Sequence, residues 1–391
     1  MRATTRPLDT AVDLNDVAAG DGYLFVRDGV GIAGRGMALR VPLDDAADVL
    51  AGIDHDDHVG GVSPIALGCV PFEPGAPCEL VVPEVLVGKA ADGRQWVTTI
   101  DGAEADLAPA LRPQPSVAAF GVAAAAPVEQ YLAAVAAVRD AVRDGRLAKA
   151  VIAREVLVTA DRPIDVHAVL LRLRASFGSS YRYSVDGFIG ASPELLVRVD
   201  GNTVESHPLA GTAPRTGDPV TDARVAAELI ASTKNQVEHR AVIEMVHDTL
   251  LPWCSFLDWE PEPSIVTVAN VQHLGSRVEG HLSDPRPNVL ELVRALSPTP
   301  ALGGAPRAEA LALIREVEGF ERGRYGGAVG WVDAEGNGTW AVAIRCAELS
   351  ADRLTARLIA GGGIVAESDP LAELAETQAK LQAMLSAIVR P

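Results

Sequence analysis

Apolar residues recur with two distinct periods along this chain. In residues 131–146, YLAAVAAVRDAVRDGR, they repeat at helical spacing, and Gly145 supplies a stop signal. Similar spacing predicts helices near 221–250, 287–296, 306–318 and 370–388. In the last of these, LAELAETQAKLQAML, Leu371, Leu374, Leu381 and Leu385 form one stripe, and Glu373, Glu376 and Lys380 form another. Elsewhere the period shortens towards two. KAVIAREVLV, residues 149–158, reads as a strand. YRYSVDGFIG and LLVRVDGNTVES each place Asp-Gly between β-rich runs, and VGWVDAEGNGTWAVAI turns at Glu335–Gly338. These three hairpins, interleaved with helices, predict an α+β fold, an α/β sandwich of packed antiparallel sheets flanked by helices rather than a doubly wound one.

Punctuation divides the chain without separating it. Pro and Gly are dense in residues 60–95, which read as short strands and turns, and residues 104–127 read as an irregular connector. We expect an N-terminal region, 1–120, integrated with a C-terminal region, 121–391, in one compact domain.

Composition narrows the class. Of the 391 residues, 48% are hydrophobic and only 4% aromatic, so a large core must be filled with small aliphatic side chains. The formal net charge of −18 opposes a nucleic-acid partner or an anionic membrane surface, because both need a basic footprint. No stretch reaches the roughly 18 apolar residues of a membrane span, and the first residues lack the apolar run of a signal peptide. Cys69, Cys78, Cys254 and Cys346 are scattered without a CxxC pair. Such usage suits reduced thiols in a cytoplasmic protein.

Several polar residues sit in apolar settings. Glu238 is followed at helical spacing by Ala241, Val242 and Met245, so its carboxylate needs a cation. Lys234, one turn upstream, is one candidate, and a metal or catalytic role is the other. His239 on the same helix suits a satisfied core position. Glu376 has an ordinary i, i+4 partner in Lys380. Carboxylates from two helices, with no Cys or His cluster, would instead suit Mg²⁺. Lys149 opens an apolar strand. It is either exposed or turned into a cleft, where desolvation favours the neutral base. Glu194 follows a proline at a strand start and reads as a surface acid or a buried one. Arg345 alternates with Ala341 and Ala343 along a strand and needs an anion if the sheet is covered on both faces. Gly361, Gly363 and Ala366 match G-x-G-x-x-A. The helix start at Ser368–Pro370 comes too late for a helix N-terminus to face these glycines, so a dinucleotide site is not expected. A glycine loop approaching a carboxylate or phosphate remains open.

Taken in order, eight strings resemble the chorismate-utilising enzymes, which include isochorismate, salicylate, anthranilate and aminodeoxychorismate synthases. They are AKAVIAREV, GASPELLVR, HPLAGTAPR, TKNQVEHRAVIEMVHDTLLP, VQHLGSRVEGHL, LSPTPALGG, RYGGAVGWVDAEGNGTWAVAIRCAEL and AGGGIVAESDPLAELAETQAKLQAML, within residues 128–388. The resemblance implies a cleft between sheets that binds chorismate. Glu238 and Glu376 would hold Mg²⁺ there, with Glu373 behind them. Arg345, Tyr325 and the backbone at Gly361 and Gly363 would receive the enolpyruvyl carboxylate. Gly211, Thr212 and His273 would line the ring site, with Ala301 on the wall and Lys380 adding positive charge.

The resemblance also orders the family's branches. Aminating relatives carry glutamine where Lys149 stands, or a nucleophilic lysine where Ala210 stands, so this chain resembles the members that use water and need no glutamine amidotransferase subunit. Lys149 would be the base that activates water at C2 of chorismate, and Glu194 the acid for the C4 hydroxyl. Salicylate synthases tend to carry threonine where this chain has Ala301, so isochorismate synthase is the favoured branch and salicylate synthase the alternative. Many relatives have histidine where this chain has Ser297. A monomer is expected.

Overall fold

The computed structural model describes residues 1–111, 118–268 and 271–390. Its strands form a thirteen-stranded sheet, a nine-stranded sheet and a small three-stranded sheet. Each large sheet mixes strands from both ends of the chain. The larger sheet takes Arg2–Pro7 and Tyr23–Arg27 beside Lys149–Ala160 and Thr355–Ile364, and the smaller pairs Ile65–Val70 with Ala328–Asp333. The described part of the connector carries no helix or strand up to residue 119. Phe120–Ala124 is already a strand, paired with Lys149–Ala160, so the expected boundary at 120 falls inside the sheet.

Among the described residues, pairing is antiparallel with one exception. Arg2–Pro7 runs parallel to Asp54–Asp57 at the sheet's edge. The three expected hairpins form with the expected partners. Asp186 and Gly187, at φ 47° and 74°, make the two-residue turn of the first. Their left-handed backbone matches the twist of paired strands, and Asp-Gly tolerates it.

Alternation along single strands explains how the layers stack. In Tyr23–Arg27, Tyr23 and Phe25 join the core between the two large sheets, where Trp340, Val197 and Leu67 also lie. Leu24 and Val26 point to the opposite face and belong to a second core cluster with Leu170 and Leu173 of the helix Val166–Phe177 and Leu381 and Met384 of Pro370–Val389. A strand buried on both faces reads as a near-continuous apolar run, and its period-two signal is lost.

Two local expectations change. The run near 221–250 is two helices, Pro219–Ala231 and Thr233–Leu250; Ser232 leaves helical geometry and its hydroxyl caps the second. Gly361–Gly363 do not form a loop after a strand. They lie within Thr355–Ile364, paired with Ala153, Ile152 and Val151. No helix among the described residues is long and apolar enough to cross a membrane.

Trp340 is fully buried in the inter-sheet core. Trp340→Ala should therefore lower unfolding stability by about 3–5 kcal/mol, read from urea denaturation; a loss under about 1 kcal/mol would contradict this packing.

Candidate active site

A cavity of about 270 Å³ opens where the Lys149–Ala160 and Thr355–Ile364 strands meet the three-stranded sheet and two helices. Its size is near the lower end of the roughly 300–1,000 Å³ of small-molecule sites. The thirteen residues expected to act on or bind chorismate and metal line it: Lys149, Glu194, Gly211, Thr212, Glu238, His273, Ala301, Tyr325, Arg345, Gly361, Gly363, Glu376 and Lys380. A larger cleft of about 650 Å³ lies elsewhere, lined by residues such as Arg27, Trp96, Tyr181 and Trp331. It holds none of the thirteen, so concentration of chemistry, not volume, identifies the candidate active site.

Lys149 starts its strand buried, and its Nζ donates to Glu238 Oε1 at 2.5 Å. The cation that Glu238 requires thus comes from a strand 89 residues upstream. The side chain of Lys234, the other candidate, lies outside the described residues. Glu376 pairs with Lys380 at 2.6 Å, and Lys380 also donates to the carbonyl of Gly361 at 2.8 Å. Burial pushes the Glu376 carboxyl up, but Lys380, Arg345 and Lys149 outweigh it and hold the group below the usual range. Glu373, one turn earlier, is buried and accepts from Ser368 Oγ at 2.8 Å.

Glu194 behaves oppositely. It sits in the break between strands Phe188–Ser192 and Leu195–Asp200, 3% exposed. Burial pushes its carboxyl up to about 8, against smaller opposing effects from the Leu209 N–H and from Lys149, Arg345 and Lys380. It is therefore a protonated acid at neutral pH, the state a proton donor needs.

Arg345 departs from the strand expected for it. It falls between Gly338–Val342 and Cys346–Leu349 with φ at 53°, a left-handed conformation that costs a non-glycine residue roughly 1–3 kcal/mol. The break turns its guanidinium into the cavity, where Nη2 lies 3.3 Å from His273 Nε2. A guanidinium can only donate, so His273 Nε2 accepts. His273 Nδ1 then carries the proton and donates to Thr212 Oγ1 at 3.0 Å. Burial and the adjacent Arg345 both hold the imidazole well below its ordinary value, in agreement with a neutral ring. His239, read as a core histidine, is buried against Ser276 Oγ at 3.0 Å and is pushed down to about 4 by burial.

The glycines make this convergence possible. A Cβ at Gly362 would lie 2.6 Å from Glu373 Oε2 and 3.8 Å from Glu376 Oε1; one at Gly363 would lie 2.6 Å from Lys149 Cε and 3.2 Å from Glu238 Oε1. Bare backbone thus lies between the two carboxylates assigned to a metal. Oxygen donors alone suit Mg²⁺, which is commonly held by one or two protein carboxylates with water and substrate completing its shell. No group of three or more metal-ligating side chains forms a ready cage among the described residues. Glu238 and Glu376 supply only oxygen donors, the ligand type that a hard dication such as Mg²⁺ takes.

Sequence reasoning missed Asn235, Ile344 and Leu302, which also line the cavity. Asn235 had a signal: it stands one helical turn before Glu238, on the same face. Ser297 does not line the cavity; its N–H closes the helix Val289–Leu296 on Val293.

Known proteins share this arrangement of sequence and fold. The family model described as Chorismate binding enzyme matches residues 77–389. A Mycobacterium tuberculosis (strain H37Rv) protein, provisionally named isochorismate synthase MenF, is 42% identical over 341 residues, covering 84% of this chain and 87% of its own. Isochorismate synthase DhbC of Bacillus subtilis (strain 168) is 38% identical over 340 residues, covering 84% and 82%. A crystal structure provisionally assigned as a 2,3-dihydroxybenzoate-specific isochorismate synthase, DhbC from Bacillus anthracis, matches with a TM-score of 0.83 at 33% identity, over 96% of this chain and 99% of that one. The chain belongs to the chorismate-binding enzyme family.

Proposed function

We propose that this protein is an isochorismate synthase, an isomerase that converts chorismate to isochorismate with Mg²⁺. One observation carries the reading: a single cavity holds a buried lysine and a buried carboxyl pushed up to about 8, beside carboxylates that fit a hard cation. The relatives named isochorismate synthase support the choice of product.

Water adds at C2 of the ring and hydroxide leaves C4. Lys149 takes a proton from the attacking water, and Glu194 gives its proton to the departing C4 hydroxyl. Lys149 donates to Glu238, and a metal held by Glu238 would compete for that carboxylate and leave Lys149 to act as the base. Arg345 and the backbone of Gly361 and Gly363 receive the enolpyruvyl carboxylate. Thr212 holds His273 as a neutral ring beside Arg345, which leaves the guanidinium's charge for the substrate.

Charge balance explains why a dication belongs here. Lys380 and Arg345 face Glu238, Glu373 and Glu376, so with Lys149 neutral, as its role as base requires, carboxylates outnumber cations. Chorismate brings two more negative charges, and uncompensated buried charge is expensive. When bound, Mg²⁺ would supply two positive charges against that excess and a Lewis-acid grip on the ring carboxylate.

Purified protein given chorismate and Mg²⁺ should form isochorismate, resolved by chromatography, and EDTA should abolish turnover. Pyruvate released in step with salicylate would instead establish the salicylate synthase reading. Lys149→Ala should lower kcat by about 100-fold or more with circular dichroism unchanged; full activity would remove Lys149 from the role of base. Glu194 is protonated below about 8, so kcat should fall as pH rises through that value. Glu194→Gln should lower kcat by roughly 100-fold or more and erase that limb, whereas an unchanged limb would assign it to another group.

A further inference from the structure

Behind the cavity wall lies a charged pair that the proposed chemistry does not use. Arg322 and Glu318 have side chains only 2% and 1% exposed, and they face each other through the guanidinium and the carboxylate. A buried ion pair is weak evidence for stability, since apolar residues of similar volume often serve as well or better. What distinguishes this pair is where its remaining hydrogen bonds go. Arg322 Nη1 donates to the carbonyl of Leu302 at 2.7 Å, and Nη2 donates to the carbonyl of Val151, also at 2.7 Å. Glu318 Oε1 accepts from the N–H of Ala153 at 2.7 Å. The turn is closed by the N–H of Tyr325 donating to the carbonyl of Arg322.

Every one of these contacts ends on a wall of the active site or next to one. Val151, Leu302 and Tyr325 line the cavity. Val151 is two residues beyond Lys149 on one strand, so the two side chains project from the same face. Leu302 adjoins Ala301. The same two segments meet again through Lys149 and Ala150, which pair with Ala305 and Gly304, and through the Val151 N–H, which donates to Gly303. These contacts are backbone only. Arg322 and Glu318 add a side-chain bridge whose planar guanidinium holds two carbonyls in one fixed geometry, which a lysine or an apolar side chain cannot reproduce.

We propose that Arg322 and Glu318 are positioning residues that set Lys149 against the Ala301–Leu302 wall, and so place the base relative to the ring of the bound substrate. The proposal rests on the isochorismate synthase reading for its kinetic consequence, while its structural consequence is independent of that reading. Neither side chain lines the cavity, so both act through the backbone of Val151, Ala153 and Leu302.

The test compares wild type with Arg322→Met, with the double variant Arg322→Met/Glu318→Met, and with Arg322→Lys. The single Met variant strands a buried carboxylate and should be the least stable. The double variant should regain thermal stability, because both charges are gone. Turnover should not return with it: kcat should stay roughly 10- to 100-fold below wild type, the cost of a base displaced by about 1 Å. KM for chorismate should change by less than about 3-fold, because Arg345 and Lys380 are untouched. Hydrogen–deuterium exchange should be faster in peptides covering 149–153 and 299–305. Arg322→Lys keeps the charge, and it should show the same kcat loss with a melting temperature near wild type, which covers failure of the double variant to fold. Wild-type kcat and wild-type exchange in a stable double variant, or in Arg322→Lys, would overturn the proposal. If wild type makes no isochorismate, the functional reading fails, and the exchange comparison alone decides the positioning role.

Discussion

Three consecutive residues without side chains allow everything else at this site. The strand Thr355–Ile364 lies against Lys149–Ala160 along ten paired positions, and the helix Pro370–Val389 packs over the same strand. At Gly361, Gly362 and Gly363 the space that a Cβ would take holds the carbonyl of Ile152, the carboxylate of Glu373 and the side chain of Lys149. Two carboxylate–ammonium pairs from three different elements can then close around one point. The same bare backbone offers the carbonyl of Gly361 to Lys380. A strand interior made of glycine weakens pairing, and here six paired residues before the tract, Thr355–Ala360, and Ile364 after it carry the ladder through.

Around that backbone the site separates two kinds of carboxyl group. Glu376 keeps its charge because lysines and an arginine surround it, whereas Glu194, though near the same cations, is so buried that desolvation prevails. One cavity therefore contains anionic oxygens fit for a metal and a neutral carboxyl fit to give a proton. His273 belongs with the second group: its tautomer follows from Arg345, which cannot accept a hydrogen bond. The left-handed break that aims Arg345 into the cavity stores backbone strain on the cavity wall.

Much of this was legible in the chain, and the remainder was hidden for identifiable reasons. Helical and strand periods placed the C-terminal helix, the Lys149 strand and the three hairpins, because each is a local pattern. The thirteen cavity residues came from ordered family strings, and no single motif would have assembled them. The partner of Glu238 was not legible. Helical spacing offered Lys234, but a lysine 89 residues away is within 2.5 Å only once the sheet is built. Arg345 looked like a strand residue because alternation in AVAIRCAEL continues through the break. The glycine tract looked like a loop because local propensity cannot report that a helix and a second strand need its space. Glu318 caps the helix Arg307–Val317 and Arg322 opens the turn closed by Tyr325, and the local sequence carries no sign of the backbone groups they meet.

The central claim is that water, activated at Lys149, becomes the new hydroxyl of the product while the old one departs. Running the reaction with chorismate and Mg²⁺ in H₂¹⁸O and locating the label by mass spectrometry and ¹³C NMR tests this directly. The account predicts one ¹⁸O per isochorismate, at C2. Isochorismate formed without label, its C4 oxygen carried over to C2, would contradict it.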